Sequence, residues 1–349
     1  MKVLVTGGTG YIGSHTVVEL INAGYDVVII DNLSNSQKSV VDRIEKITGK
    51  GPTLYEFDLC DKEKLEDCLS NELDIGAVVH FAASKAVGES VEQPLLYYSN
   101  NLNSTINLIE AIKKYDISNL VFSSSCTVYG QPDVLPVSEQ TPFKPAQSPY
   151  AYTKQICEQI IRDSVKAYDG IQGLALRYFN PVGAHPSVLI GEFPTGVPNN
   201  LVPFITQTAA GLREELKIFG NDYNTPDGTA IRDYIHVVDL AHAHVFAIRR
   251  MLNGQTKTNF EYFNIGTGHG YSVLELVLMF EAVNEIKLNY RIVDRRSGDI
   301  EKIFADTSLA NSELGWQAQH DLIDMMRDAW LWQQSLGETR TSDDLTNGS

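Results

Sequence analysis

The chain has 349 residues, of which 43% are hydrophobic and 21% charged, a composition typical of a globular protein with a large core. Its formal net charge of −16 argues against partners that carry dense negative charge, so we expect no nucleic acid and no membrane surface. The sequence contains no run of 18 apolar residues and no signal-peptide pattern, so we expect a cytoplasmic protein without a membrane span.

Four cysteines lie far apart and show no metal-ligand spacing. Because the chain shows no secretory signal either, we expect free thiols in a reducing compartment and no metal site. These residues are Cys60, Cys68, Cys126 and Cys157.

In chain order, short runs rich in β-branched residues alternate with amphipathic segments. The runs span residues 2–6, 26–30, 53–57, 77–81, 119–124 and 173–179. The intervals are long enough for crossover helices, so the pattern predicts a Rossmann-type, doubly wound parallel sheet in an α/β fold. Residues 181–230 are rich in Gly, Pro and Asn around one helix near 200–212, which indicates a loop-rich lobe. A last strand candidate, 261–266, is expected to return to the sheet.

The first strand is followed by TGGTGYIG, in which Gly7, Gly10 and Gly13 have GxxGxxG spacing. Glycines at a strand-to-helix turn let the backbone approach a pyrophosphate at the helix N-terminus. The second strand ends at Asp31, where dinucleotide folds place the carboxylate that binds the adenosine ribose and repels a 2′-phosphate. The pattern predicts NAD rather than NADP. A glycine turn followed by a helix-capping Asp31 is the structural alternative.

The fifth strand ends in SSSCTVYG, which brings Ser125 to the carboxyl edge of the sheet. In SPYAYTK, Tyr150 and Lys154 are four residues apart and share one helix face. A nearby ammonium and an oxidised nicotinamide would lower the tyrosine pKa from its usual value of about 10. The three residues are therefore candidate catalytic groups: a base, its activator and a hydroxyl that shares the proton. The two serines before Ser125 are expected to satisfy backbone groups.

The segments TGGTGYIG, DNLSNS, HFAASKAVGES, SSSCTVYG, SPYAYTK, RYFNPVGAHPS, PNNL, IFGNDYNTPDGTAIRDYIHVVDLA and RRSGD occur in this order. Over about residues 1–335 the chain resembles the UDP-glucose 4-epimerases of the extended short-chain dehydrogenase/reductase family. The resemblance implies an isomerase that oxidises C4 of a UDP-sugar with tightly bound NAD and reduces the rotated 4-keto sugar from its other face. It also implies a homodimer formed by helices at about 94–115 and 150–168.

By the same resemblance, motif positions are expected to bind the two ligands. The expected cofactor-binding residues are Gly7, Gly10, Tyr11, Ile12, Gly13, Asp31, Asn32, Asn35, Ser36, Asp58, Leu59, Phe81, Ala82, Ala83, Lys85, Asn100, Ser125, Tyr150, Lys154 and Tyr178. The expected substrate-binding residues are Lys85, Ser125, Tyr150, Phe179, Asn180, Asn200, Leu201, Lys217, Phe219, Arg232, Tyr234, Arg296, Asp299 and Ile303. Among these, Arg232 and Arg296 would hold the diphosphate and Asp299 the uridine ribose.

Together these assignments divide the chain into two domains and a tail. The expected NAD-binding domain is 1–180 plus about 236–268. The expected UDP-sugar-binding domain, a smaller loop-rich α/β unit, is 181–235 plus about 269–336. The polar segment 337–349 is expected to be a flexible tail.

One position departs from the better-studied bacterial members of the family. Ile303, four residues beyond Asp299, stands where those enzymes carry a tyrosine against the sugar. Relatives that act on N-acetylated sugars have a smaller residue there, so we hypothesise additional activity on UDP-GlcNAc and UDP-GalNAc.

Other functions remain open at this point. A dehydratase of the same family needs an acidic pair after the strand-five hydroxyl, and this chain has Cys126 and Thr127 there. A decarboxylase is a related alternative, and a reductase using NADPH is disfavoured by Asp31. A non-catalytic sensor of NAD or nucleotide sugars is the alternative outside enzymes.

Overall fold

The computed structural model describes residues 1–194, 196–296 and 299–346, with side chains as far as Gly337. The strands are β1 Lys2–Thr6, β2 Asp26–Asp31, β3 Thr53–Glu56, β4 Ile75–His80, β5 Asn119–Ser125, β6 Gln172–Tyr178, β7 Asn180–Val182, β8 Leu216–Phe219, β9 Ile231–His236, β10 Phe260–Ile265, β11 Gly270–Ser272, β12 Tyr290–Val293 and β13 Lys302–Ile303. The helices are α1 Tyr11–Asn22, α2 Ser39–Thr48, α3 Lys62–Asn71, α4 Val87–Glu92, α5 Pro94–Lys114, α6 Pro149–Ala167, α7 Leu201–Ala209, α8 Val237–Leu252, α9 Val273–Asn284 and α10 Leu322–Thr346. A 3₁₀ helix spans Cys126–Tyr129 and a π-helical turn spans Ala310–Leu314.

Seven parallel strands form the main sheet, in the order β10-β6-β5-β4-β1-β2-β3. The strand order reverses between β1 and β4, and a ligand crevice opens beyond the carboxyl ends of the strands at such a point. The predicted doubly wound sheet is confirmed, and the predicted strands differ from the observed ones by only one or two residues at their ends.

The strands read as continuous apolar runs because helices cover both faces of the sheet. One face packs Val3, Val5 and Val121 against residues of α1 and α8. The other packs Leu4 and Val78 against residues of α3, α5 and α6. These two cores hold β1, β4 and β5 rigidly, and therefore fix the edge from which Ser125 projects.

A second lobe is built around β9, which pairs with β7 and β13 in parallel and with β11 in antiparallel orientation. Its core joins α7, α9 and α10, and a separate parallel pair joins β8 and β12. Sequence analysis identified α7 but none of the lobe's strands. β13 has two residues and β7 and β11 have three each, but β8 and β12 with four residues and β9 with six were missed as well. The predicted domain boundaries stay a prediction.

Helix α10 continues through Thr346, so the segment expected to be a tail from residue 337 begins inside a helix. Residues 347–349 lie outside the described part of the chain, and the flexibility of this segment stays a prediction. Across the described residues, we find no helix with the length and apolar character needed to cross a membrane.

Candidate active site

Two elements bring the predicted catalytic residues to the carboxyl edge of the sheet. Strand β5 ends at Ser125, and α6 begins at Pro149 with Ser148 as its N-cap. The Ser148 hydroxyl accepts the Ala151 N–H at 3.2 Å, which fixes the first turn and hence Tyr150. Lys154 follows one turn later and is 4% exposed.

The protein groups alone raise the pKa of Tyr150 to about 12, because burial outweighs a hydrogen bond from Ser125 that lowers this pKa. Lys154 lies near the phenol, but its hydrogen bond goes to a backbone carbonyl. Its Nζ donates to the Ser123 carbonyl at 2.7 Å and lies 5.9 Å from the centre of the Tyr150 ring. Burial lowers the pKa of Lys154 to about 8. The lowering of the Tyr150 pKa by Lys154 together with an oxidised nicotinamide stays a prediction.

A buried ion pair, which sequence reasoning missed, joins α6, the helix that carries Tyr150 and Lys154, to strand β6. Arg177 of β6 binds Glu158 of α6 through Nε at 3.0 Å and Nη2 at 2.7 Å, and both side chains are at most 2% exposed. The Ser124 hydroxyl donates to the same carboxylate, and the Tyr129 hydroxyl accepts from Arg177 at 2.9 Å. The interpretation of Ser124 as a backbone-satisfying serine is thus wrong, because a charged acceptor lies within reach.

The glycine turn leaves no room for side chains. A Cβ on Gly13 would lie 2.1 Å from the Gly7 carbonyl oxygen, and one on Gly7, whose φ is +71°, would lie 2.8 Å from the Ala82 nitrogen. Helix α1 then begins at Tyr11, and no described side chain caps its N-terminus. The first-turn N–H groups therefore have no side-chain acceptor from the described residues, which is the arrangement that binds a pyrophosphate, and NAD fits this cradle.

Other predicted cofactor residues surround the same crevice. The Asp31 carboxylate accepts the N–H groups of Thr9 at 3.1 Å and Leu33 at 2.9 Å. It therefore links the glycine turn to the loop that follows β2. The Asn32 amide donates to Asp58 at 3.0 Å, and the Ser36 hydroxyl contacts that of Thr9. Asn35 lies in the same loop after β2, Ile12 packs on the sheet core, and Leu59 is buried after β3.

The loop after β4 carries Phe81, Ala82, Ala83 and Lys85, and its backbone at Phe81 and Ala82 lies against Gly7 of the glycine turn. The Asn100 amide fixes this loop by donating to the Ser84 hydroxyl at 3.1 Å. On the neighbouring side, the Tyr178 hydroxyl bonds to His244, whose ring lies 4.8 Å from that of Phe81. These contacts bring together predicted cofactor-binding residues from the loop after β4 and from the end of β6.

Three of the predicted nucleotide-binding residues meet in the second lobe. Arg232 of β9 and Arg296 both contact one oxygen of Asp299, at 3.4 and 3.2 Å. The side chain of Arg232 is 16% exposed and that of Arg296 is 61% exposed. The Arg296 guanidinium also lies 5.7 Å from the ring of Phe219, on the strand that carries Lys217.

The remaining substrate residues lie around β7, β9 and α7. Asn180 pairs with Tyr234 between β7 and β9, directly after the buried Phe179. Ile303 lies opposite Arg232 between β13 and β9 and is buried with Phe179 and Cys126.

Asn200, just before Leu201 at the start of α7, donates instead to Glu192 at 2.7 Å. Glu192 lies 3.8 Å from Lys85 and was not predicted from the sequence. A cavity of about 540 Å³ between α7 and α10 is lined by Glu192 but by none of the predicted catalytic residues.

The site combines a serine hydroxyl, a tyrosine and a lysine with a glycine turn that fits a dinucleotide. This combination places the chain among enzymes of the short-chain dehydrogenase/reductase type. Comparison with protein families is more specific: residues 3–266 match the NAD dependent epimerase/dehydratase family, and the chain belongs to that family.

Among its relatives is the UDP-glucose 4-epimerase of Bacillus subtilis, 53% identical over 335 residues that cover 96% of this chain and 97% of the relative. A crystal structure of UDP-glucose 4-epimerase from Stenotrophomonas maltophila, with bound NAD and formylated UDP-arabinopyranose, is 49% identical with a TM-score of 0.94 and covers 97% of this chain and 99% of that one. The UDP-glucose 4-epimerase structure from Bifidobacterium longum, in complex with NAD⁺ and UDP, is 46% identical with a TM-score of 0.92. The match covers 96% of this chain and 98% of that one. The resemblance to UDP-glucose 4-epimerases and the prediction of an isomerase are confirmed.

Proposed function

We propose that the chain interconverts UDP-glucose and UDP-galactose by reversible oxidation at C4 of the sugar, with NAD as its resident cofactor. The observation that carries the proposal is the meeting of Ser125, Tyr150 and Lys154 beside the glycine cradle, in a chain about half identical to UDP-glucose 4-epimerases along nearly its whole length.

Bound at the glycine turn, NAD would supply a reversible hydride acceptor for C4, and its positive nicotinamide ring would favour a phenolate at Tyr150. Tyr150 takes the proton of the 4-hydroxyl group, and the Ser125 hydroxyl donates a hydrogen bond to the same phenolate. Lys154, held by the Ser123 carbonyl, supplies a buried positive charge. The 4-keto sugar turns about its link to the diphosphate, and Tyr150 then returns the proton.

This chemistry requires a firmly held nucleotide and a loosely held sugar. Arginines bind diphosphates well because the planar guanidinium donates two parallel hydrogen bonds. We assign the diphosphate to Arg232 and Arg296 and the uridine ribose to Asp299. Their mutual ion pairs keep these groups together before a nucleotide replaces part of that contact.

A dehydratase is disfavoured at the two positions after Ser125. Cys126 is buried in an apolar cluster, and burial raises the pKa of its thiol to about 12. Thr127 carries no ionisable group. Neither residue can replace the acid and base that elimination of water needs.

The test is a coupled assay of purified protein with UDP-galactose as substrate and UDP-glucose as the measured product. We expect turnover without added reductant. Binding of UDP-galactose without turnover would instead support the non-catalytic sensor.

We also propose that Ile303 permits activity on N-acetylated UDP-sugars. Isoleucine is shorter than tyrosine, and Ile303 lies opposite Arg232, the residue to which we assign the diphosphate. We expect rates on UDP-GalNAc and UDP-galactose within about tenfold, a barrier difference of about 1.4 kcal/mol. Ile303→Tyr should abolish UDP-GalNAc turnover only, and undetectable UDP-GalNAc turnover by the wild type contradicts the proposal.

We further propose a homodimer in which α5 and α6 form the contact. Leu95 on α5 is 80% exposed and Tyr152 on α6 is 48% exposed, and Leu96 and Ile106 add apolar surface to α5. Sedimentation should give twice the chain mass for the wild type and the chain mass for Leu95→Glu.

We also propose a location in the reducing cytoplasm, which the four free thiols support.

A further inference from the structure

The two positions that follow Ser125 differ in their surroundings. Cys126 is buried among Val137, Phe179 and other apolar residues. Thr127 is half-buried in the first turn of the 3₁₀ helix, and its hydroxyl points back to Ser125. The mechanism described above gives Thr127 no role, although its side chain contacts a catalytic hydroxyl directly.

Ser125 receives two hydrogen bonds from this one residue. Its Oγ accepts the Thr127 backbone N–H at 3.2 Å and the Thr127 Oγ1–H at 3.0 Å. A serine hydroxyl has two lone pairs and one proton. Since both lone pairs are engaged by Thr127, the proton of Ser125 remains free for donation to a third partner.

That third partner is Tyr150. A hydrogen bond with Ser125 lowers the pKa of the Tyr150 phenol. Because a phenolate oxygen carries no proton, the Ser125 hydroxyl must be the donor in that bond. A hydroxyl that rotated freely would instead divide its time between donating to the phenolate and accepting from neighbouring groups. The bond from Thr127 removes the second option, so the donor orientation is set before the substrate arrives.

We propose that Thr127 is a positioning residue that fixes the Ser125 hydroxyl as a hydrogen-bond donor to Tyr150. The inference rests on the proposed epimerase function and deepens it. No proton leaves Ser125 in this role: the sugar 4-hydroxyl proton moves to the Tyr150 oxygen, and Ser125 keeps its own.

Thr127→Val tests this role, because valine has the shape of threonine and lacks the hydroxyl. The backbone N–H of residue 127 stays in place, so the turn keeps one of its two bonds to Ser125. We expect kcat with UDP-galactose to fall about tenfold, the size of one ordinary hydrogen bond, with KM changed less than twofold. Thr127→Ser should restore kcat to within threefold of the wild type.

A double-mutant cycle separates positioning from general loss of structure. In a Ser125→Ala background, Thr127→Val should lower kcat by less than twofold, because the group that it orients is gone. Thr48→Val, at the end of α2, is the matched control and should leave kcat unchanged. Thr127→Ala takes the place of Thr127→Val in the cycle if the valine variant does not fold.

The outcomes are distinct. Equal losses from Thr127→Val in both backgrounds, or a Thr127→Ser variant as slow as Thr127→Val, would overturn the positioning role while normal wild-type turnover upholds the epimerase function. A wild type that binds UDP-galactose without turnover contradicts the proposed function and this inference together.

Discussion

The catalytic edge of the sheet and the nucleotide-binding part of the second lobe hold their charges in opposite ways. At the edge, Glu158 and Arg177 are at most 2% exposed and Lys154 is 4% exposed. In the second lobe, the side chain of Arg296 is 61% exposed, and its ion-pair partner Asp299 is only three positions away in the sequence. At the edge the charged groups are buried and paired by the fold, whereas in the second lobe Arg296 is open to solvent while Arg232 is mostly buried.

This difference follows from what each region must do. A base and a proton-sharing hydroxyl need fixed geometry through the reaction, and buried, fully bonded networks provide it. Arginines that receive a diphosphate need solvent access until the ligand arrives. We therefore expect substitutions at the edge to reduce kcat and stability, and substitutions in the second lobe to raise KM.

The largest expected effect is on catalysis at the edge. Tyr150→Phe should lower kcat with UDP-galactose by about 10²–10⁴-fold, because a missing general base removes that much, while KM changes little. Steady-state rates in the coupled assay give both constants. Tyr168→Phe, directly after α6 and 37% exposed, is the control and should stay within twofold of the wild type. A Tyr150→Phe enzyme with more than a tenth of wild-type activity would refute the assignment.

Stability gives the next comparison. Arg177→Met should lower the free energy of unfolding by about 3–5 kcal/mol, because it leaves the Glu158 carboxylate buried without its partner. Arg291→Met breaks an exposed pair with Glu215 in the second lobe and should cost less than about 1 kcal/mol. Urea unfolding of the two variants measures both values. Equal losses would contradict the contrast between the regions.

In the second lobe, Arg232→Met should raise KM for UDP-galactose about 10–100-fold and change kcat less than threefold. One or two charge-assisted hydrogen bonds to the diphosphate account for a loss of this size. Steady-state kinetics and titration with UDP provide the measurement. The neighbouring Arg295, which is paired with Asp222, supplies the control Arg295→Met, expected to change KM less than twofold. A fall in kcat without a change in KM would place Arg232 in the chemistry instead.

The smallest effect concerns acid sensitivity on the cofactor side. Burial lowers the pKa of His15 and His80 to about 3 and that of His244 to about 4. Below pH 6.5 these histidines bind protons in the unfolded chain but not in the folded chain. Their contribution to the free energy of unfolding is therefore fully present above pH 6.5 and declines towards pH 4. Each histidine contributes a slope of about 1.4 kcal/mol per pH unit in this range.

His80→Gln, which removes one such group from the bonds to Thr6 and Thr105, isolates this contribution. Between pH 6 and pH 5, the variant should lose about 1.4 kcal/mol less free energy of unfolding than the wild type. Urea unfolding at the two pH values is the measurement. Parallel losses in the two proteins would show that His80 titrates normally in the folded state.

The sequence predicted the regular parts of this molecule because their causes are local. Apolar runs mark the buried strands, and the glycine spacing reports a turn where a Cβ would collide with backbone. The short strands of the second lobe lack enough residues to show a period. Glu158 and Arg177 were missed because a pair between a strand and a helix leaves no spacing rule. The charged Arg177 inside the run GLALRYF was the one available signal.

The site residues follow the same division. YxxxK spacing placed Tyr150 and Lys154 on one helix face, but it could not show that the ammonium binds the Ser123 carbonyl rather than the phenol. Similarly, Cys126 and Thr127 were read only as missing acids. The contact from Thr127 to Ser125 depends on the 3₁₀ turn that follows β5, which the sequence pattern does not reveal.

The ion pair of Glu158 and Arg177 has a practical meaning for enzyme engineering. The SPYAYTK segment cannot be transferred alone to another protein. The helix that carries it, α6, is held through Glu158 by Arg177 of β6 and Ser124 of β5. A graft of α6 into a related scaffold would need Ser124, Tyr129 and Arg177 to travel with it. Natural relatives that exchange one of these residues would be expected to exchange the others in step.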